Sequence, residues 1–144
     1  MTRLIGILLF SLIGAYGFAG KVTVNTPNAP RLPGRSSQAI KVDNTVYIST
    51  QFPLDNKTDE VLQASPKEQA QQLFSNLEAV MNAAGGTLED IAMIDISVTK
   101  PEYLAVINSV IAERFINYPA LTVRIVASIY KNSPFSISAI AQMS

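Results

Sequence analysis

The sequence predicts one α+β domain in which a mixed β-sheet carries two helices on one face. Two observations point there. Two stretches carry apolar residues every three or four positions behind helix-capping text, and six short stretches alternate or run apolar between turn signals. A third, the 144-residue length, allows one folding unit with a substantial core but not two.

Taken in order, the text KVTVNTPNAPRLPGR from Lys21 to Arg35 opens with Val22 and Val24 in strand alternation. Three prolines and a glycine then deny regular structure, so a strand followed by an ordered loop is predicted. AIKVDNTVYIST splits two apolar runs at Asp43-Asn44, a pair that tolerates left-handed backbone, and predicts a hairpin. A polar connection, FPLDNKTDEVLQAS, follows. Ser65-Pro66-Lys67-Glu68 is a capping box with proline at the first helical position. Ala70, Leu73, Leu77, Val80, Met81 and Ala84 continue it as one helical stripe, ended by Gly85-Gly86.

From Asp90 to Val98 the apolar residues Ile94, Ile96 and Val98 alternate with Asp95 and Ser97, which predicts a half-buried strand. Thr99 to Glu102 repeats the capping pattern. Leu104, Ile107, Val110, Ile111, Ala112 and Phe115 then carry a second helix to Asn117, before Pro119 stops it. LTVRIVASIY and FSISAIAQM, joined through Lys131-Asn132-Ser133-Pro134, are predicted to close the fold as an antiparallel pair. In the first of these runs both parities hold apolar residues, which points to cover on both faces of the sheet and hence to an oligomer.

Residues 1–20, MTRLIGILLFSLIGAYGFAG, differ from the rest. One basic residue, Arg3, precedes an apolar stretch from Leu4 to Phe18, and Gly17-Phe18-Ala19 provides a small-x-small cleavage site. The stretch is shorter than the roughly 20 apolar residues that span a bilayer, so a cleaved secretory signal is expected, with a periplasmic or secreted domain over 21–144. A retained leader would be the chain's only expected contact with a membrane.

Composition narrows the chemistry. With 11 basic and 11 acidic residues, no nucleic-acid footprint is expected. With no cysteine and no histidine, thiol nucleophiles, imidazole bases and Cys/His metal sites are excluded, and neither a metal nor a cofactor is expected. Tyr103, Phe115 and Tyr118 are expected to be packing residues, and Glu89-Asp90 a solvated turn or strand start. Asp59-Glu60 has no paired acid at metal or glycosidic spacing.

The texts SQAIKVDNTVYISTQFPLD, LFSNLEAVMNAAGGTLEDI, VTKPEYLAVINSVIAERF and YPALTV together resemble the RidA (YjgF) family over nearly the whole chain after Val22. The resemblance implies the chorismate-mutase-like α+β fold and a homotrimer with ligand clefts between subunits. The activity it implies is hydrolysis of reactive enamines and imines to ketoacids and ammonia.

Three positions depart from the family's pattern. The family's Gly-Pro-Tyr-Ser-Gln-Ala reads Gly34-Arg35-Ser36-Ser37-Gln38-Ala39 here, with Ser36 for the cleft tyrosine. Its Pro-Ala-Arg, whose arginine clamps the substrate carboxylate, reads Pro119-Ala120-Leu121. Its Glu-x-Glu-Ala-x-Ala, whose first glutamate holds the attacking water, reads Ser136-Ile137-Ser138-Ala139-Ile140-Ala141. Ser49 and Gln51 remain, with Thr50 for the glycine of Ser-Gly-Gln.

The expected cleft set is therefore Arg35, Ser36, Ser49, Gln51, Leu121, Thr122, Val123 and Ser136, with no confident catalytic residue. Arg124 is three residues from 121 and on the opposite strand face, so only a bulge could bring it to the clamp's place. Arg35 or Arg31, in the loop, are better relocated cations. An exported trimer binding a small molecule without the family's typical activity is the expectation. An imine deaminase of altered specificity is the alternative.

Overall fold

The computed structural model describes residues 20–32 and 34–144. The leader expected over 1–20 lies, apart from Gly20, outside the described residues. Six strands form one sheet: β1 (Lys21–Val24), β2 (Ala39–Val42), β3 (Thr45–Gln51), β4 (Ile91–Val98), β5 (Ala120–Ile125) and β6 (Phe135–Gln142). They lie in the order β1-β2-β3-β6-β4-β5. Helices α1 (Pro66–Ala83) and α2 (Tyr103–Arg114) complete the domain.

Period two in the strands and the helical stripes meet in one core. Val46 and Ile48 of β3, Ile94, Ile96 and Val98 of β4, and Ile137 and Ala139 of β6 are buried with Leu73, Phe74, Leu77, Val80 and Met81 of α1 and Ile107, Val110 and Ile111 of α2. The opposite parity of the sheet has no helix over it. Phe74 meets Phe115 edge to face at 6.1 Å, and Tyr103 meets Phe135 at 5.7 Å, so both residues pack as expected. Tyr118 does not; it is exposed within this chain.

The local signals at α1 are realised. The Ser65 hydroxyl accepts from the Glu68 amide, and the Ser65 amide donates to the Glu68 carboxylate at 3.0 Å, a bond that holds the Glu68 pKa below its ordinary value. At the other end the Gly86 amide donates to Met81 O at 3.0 Å and the Gly85 amide to Asn82 O at 3.0 Å, a Schellman closure. Gly85 has φ +94°, and a Cβ there would meet nothing within 4 Å. Gly85→Ala is therefore expected to cost about 1 kcal/mol by backbone strain alone. Urea unfolding of this variant beside Gly85→Asn, which tolerates left-handed backbone, checks it: an alanine variant as stable as the asparagine one would remove the argument.

Three expectations are corrected. The last two strands are not an antiparallel pair: β5 runs parallel to β4 as the sheet edge, Met93 opposite Ala120 through Val98 opposite Ile125, while β6 is inserted antiparallel between β3 and β4. The cause is α2, a crossover helix between β4 and β5 that returns the chain in the same direction. Strand β5 also stops at Ile125, and Tyr130–Asn132, expected partly as strand, form a short 3-10 turn in which Lys131 and Asn132 adopt left-handed φ of 56° and 57°.

Helix α2 ends at Arg114 rather than Asn117. Glu89 is exposed in a 3-10 turn, as expected, and in addition accepts from the amides of Ile116 at 2.6 Å and Asn117 at 3.3 Å and so holds the chain leaving the helix.

Candidate functional site

The expected cleft residues fall into groups on separate strands, at the end of the interior strand β3 and along the edge strand β5. At the end of β3 the register shifts between Ile48 and Gln51, a bulge around Ser49 and Thr50. Ser49 is tied to the incoming loop: its hydroxyl donates to Ser37 O at 2.7 Å and its amide to Gln38 O at 2.9 Å. Gln51 is fully buried, and its side-chain amide donates to Ser49 O at 3.0 Å. Gln51 thus braces the bulge from within its own strand.

Gln38, a member of the loop motif with no expected cleft role, organises the loop. Its Oε1 accepts from the Thr26 amide at 2.6 Å, while its Nε2 donates to the carbonyls of Thr26, Ala29 and Pro30 at 3.2, 3.2 and 3.1 Å. The available signal was a glutamine beside a proline-rich loop whose carbonyls have no strand partner. Arg31, Ser36 and Gln38 line a cavity of about 550 Å³ together with Asn56 and Asp59, and the Arg31 amide donates to Asp59 Oδ1 at 3.3 Å. Ser36 and Arg35 are exposed, and Arg35 has no ion-pair partner among the described residues.

On β5 the continuous register with β4 decides the faces. Leu121 lies opposite Ile94 and Val123 opposite Ile96, so both share the helix-covered side, yet at the edge they remain 44% and 43% exposed. Thr122 lies opposite Asp95 and Arg124 opposite Ser97, on the uncovered side. No bulge interrupts this pairing, so Arg124 stays on the face away from Leu121. Its guanidinium is ion-paired with the Asp95 carboxylate. Ser136, nearly buried, stands opposite Ser97 and therefore in the row of Arg124.

In one copy, then, β3 and β5 are separated by β6 and β4, about 14 Å at the usual strand spacing. Ser49 with the Arg35–Ser36 loop forms one group, and Leu121 with Val123 another. Ser136 sits between them on the uncovered face. Among the described residues no group of three or more acidic side chains is placed to hold a metal ion.

Comparison with known proteins agrees with this architecture. The family model described as endoribonuclease L-PSP matches residues 26–143. The chain belongs to this family, that of RidA. A RutC family protein of Sulfurisphaera tokodaii is 39% identical over 106 residues, covering 74% of this chain and 85% of the relative. The 2-iminobutanoate/2-iminopropanoate deaminase of Dermatophagoides farinae is 35% identical over 121 residues, covering 83% and 94%. Among solved structures, RidA of the Antarctic bacterium Psychrobacter sp. PAMC 21119 superposes with a TM-score of 0.81 at 38% identity, covering 85% of this chain and 99% of that one. The RidA-like α+β fold expected from the sequence is the fold observed.

Within this RidA-family chain the edge strand therefore offers an apolar wall, Leu121 and Val123, at the position where the motif comparison expects a carboxylate clamp. The cations nearest in sequence are committed elsewhere or belong to the loop. Lys131 illustrates the point: its ammonium reaches Glu60 at 3.0 Å and the Asp59 carbonyl at 2.5 Å, and the Glu60 hydrogen bond pushes its pKa up.

Proposed function

We propose that this RidA-family chain is an exported homotrimer that binds a small uncharged molecule in clefts between copies and lacks the typical imine hydrolysis of the family. The observation that carries the reading is the fate of the one arginine on β5: Arg124 is on the face opposite Leu121 and is held by Asp95. A carboxylate entering beside Leu121 and Val123 would lose water without gaining a paired cation, at a cost of several kcal/mol. An uncharged ligand avoids that cost, and a hydroxyl such as that of Ser36 in the loop can orient it.

Assembly is supported by the separation of the two residue groups. A cleft that uses both the β3 end and the β5 edge needs the β3 end of one copy beside the β5 edge of another. The exposed apolar side chains of Leu121, Val123 and Ile125 on that edge favour the same arrangement. Export rests on the leader text, a basic residue, an apolar core and a small-residue cleavage site.

A deaminase of altered specificity is the second reading. It is favoured by the likeness to the mite deaminase and by the retention of Ser49. The family model's description names RNA cleavage, but an equal count of acids and bases and a chain without histidine favour neither a phosphate-binding surface nor an imidazole base.

Butyramide and butyrate test the ligand class, because they share shape and differ in charge. Under the proposal butyramide raises the melting temperature and butyrate does not, at equal concentration. Stronger stabilisation by butyrate would show that a cation serves the cleft and would overturn the reading.

A further inference from the structure

On the side of the sheet away from the helices, Ile40, Tyr47, Ile140, Met93 and Ala120 stand in one cross-strand row. Tyr47, Ile140 and Met93 in that row are 50%, 38% and 36% exposed. Two residues further along the strands lies the row Ser138, Asp95 and Thr122, and beyond it the row Ser136, Ser97 and Arg124. The face is thus apolar at one end and hydroxyl-rich at the other. From β2 to β6 its only charged residues are Asp95 and Arg124, and these are paired with each other.

We infer that the Asp95–Arg124 pair is the neutralising element that lets this uncovered face be buried against further copies of the same chain. The inference rests on the trimeric reading above and goes beyond it by assigning the role to two named side chains. A face bearing a lone guanidinium would confront the same charge on every symmetry-related copy, and burial would strip that charge of water. With Asp95 beside it, the part of the face outside β1, whose Lys21 lies at the far edge, carries zero net charge and is apolar where Tyr47, Ile140 and Met93 lie. Such a face has no field to draw a charged partner and is compatible with itself. Thr122, Ser97, Ser136 and Ser138 supply donors and acceptors around the pair.

Burial of a mutually compensating pair leaves a characteristic signature. Removing one member strands the other, whereas replacing both is nearly neutral. Sedimentation equilibrium of the protein obtained by expressing the full chain reads this out, with circular dichroism to confirm that each variant is folded. The parent is expected to be a trimer. Asp95→Asn and Arg124→Gln are each expected to weaken association at least about 100-fold, and the double variant to return within about 10-fold of the parent. Single variants that assemble like the parent would overturn the role of the pair while leaving the trimer standing. A monomeric parent would overturn the trimeric reading and this inference with it.

Discussion

Hydrolysis of 2-iminobutanoate by this chain is expected to run at least about 100-fold slower than in an arginine-bearing relative, with Leu121→Arg recovering part of the difference. The argument begins with geometry. A guanidinium at the first turn of an edge strand can hold a carboxylate through two parallel hydrogen bonds, and leucine provides none. Arg124 cannot substitute, since the unbroken β4–β5 register fixes it on the other face and Asp95 occupies it. The motif comparison puts two further replacements in the same cleft, Ser36 for a tyrosine and Ser136 for a glutamate, so the loss from Leu121 alone is a lower bound.

Ammonia release from imines generated in situ from several amino acids, measured for parent and variant together, decides the matter. Rapid hydrolysis by the parent would transfer the clamp to Arg35, Arg31 or backbone amides and make the second reading correct. Recovery in the variant alone would show that the clamp was the missing part.

Gln38→Leu is expected to destabilise the protein by about 3 kcal/mol or more, concentrated in the loop between β1 and β2. Four hydrogen bonds, to the Thr26 amide and to the Thr26, Ala29 and Pro30 carbonyls, depend on that one buried amide. Leucine fills much of the volume but leaves these backbone groups unpaired, the Ala29 and Pro30 carbonyls in buried positions, the costly half of the hydrogen-bond asymmetry. Urea unfolding gives the global loss. Amide exchange at Thr26 and Gln38 and proteolysis within the loop give its location. A loss under about 1 kcal/mol with unchanged exchange at Thr26 would mean that the prolines alone hold the loop. Because Ser36 and Ser37 follow the same backbone, ligand stabilisation should weaken in step.

The elements legible without a structure were those with local causes. Ser65, Pro66 and Glu68 announce the start of α1 and Gly85-Gly86 its end, and Asp43-Asn44 sets the β2–β3 turn, with Asp43 at φ 52°. Each depends on a few neighbouring residues, so nearby text suffices. The family, and through it the fold, was legible for a different reason, namely motifs spread over nearly the whole chain. Asp95 and Ser97 alternating with Ile94, Ile96 and Val98 likewise marked β4 as a strand with one buried side.

What could not be read locally was which strand lies beside which. Period two says that LTVRIV is a strand and separates Arg124 from Leu121, but it does not say that β6 slips between β3 and β4 and leaves β5 at the edge. That order is set by α2 as a crossover and by the pairing of Phe135 to Ala141 with β4, contacts between residues 37 to 50 apart in sequence. The same distance hid the roles of Gln38, Glu89 and Asp95, whose partners lie 12, 27 and 29 residues away. The sequence by itself determined where helices and strands occur, and for α1 where the helix starts and stops, because capping and periodicity act within a few residues. Only the tertiary structure decided that Arg124 is spent on Asp95 and that β6 and β4 separate the two groups of cleft residues, because both depend on strand neighbours brought together by long-range pairing.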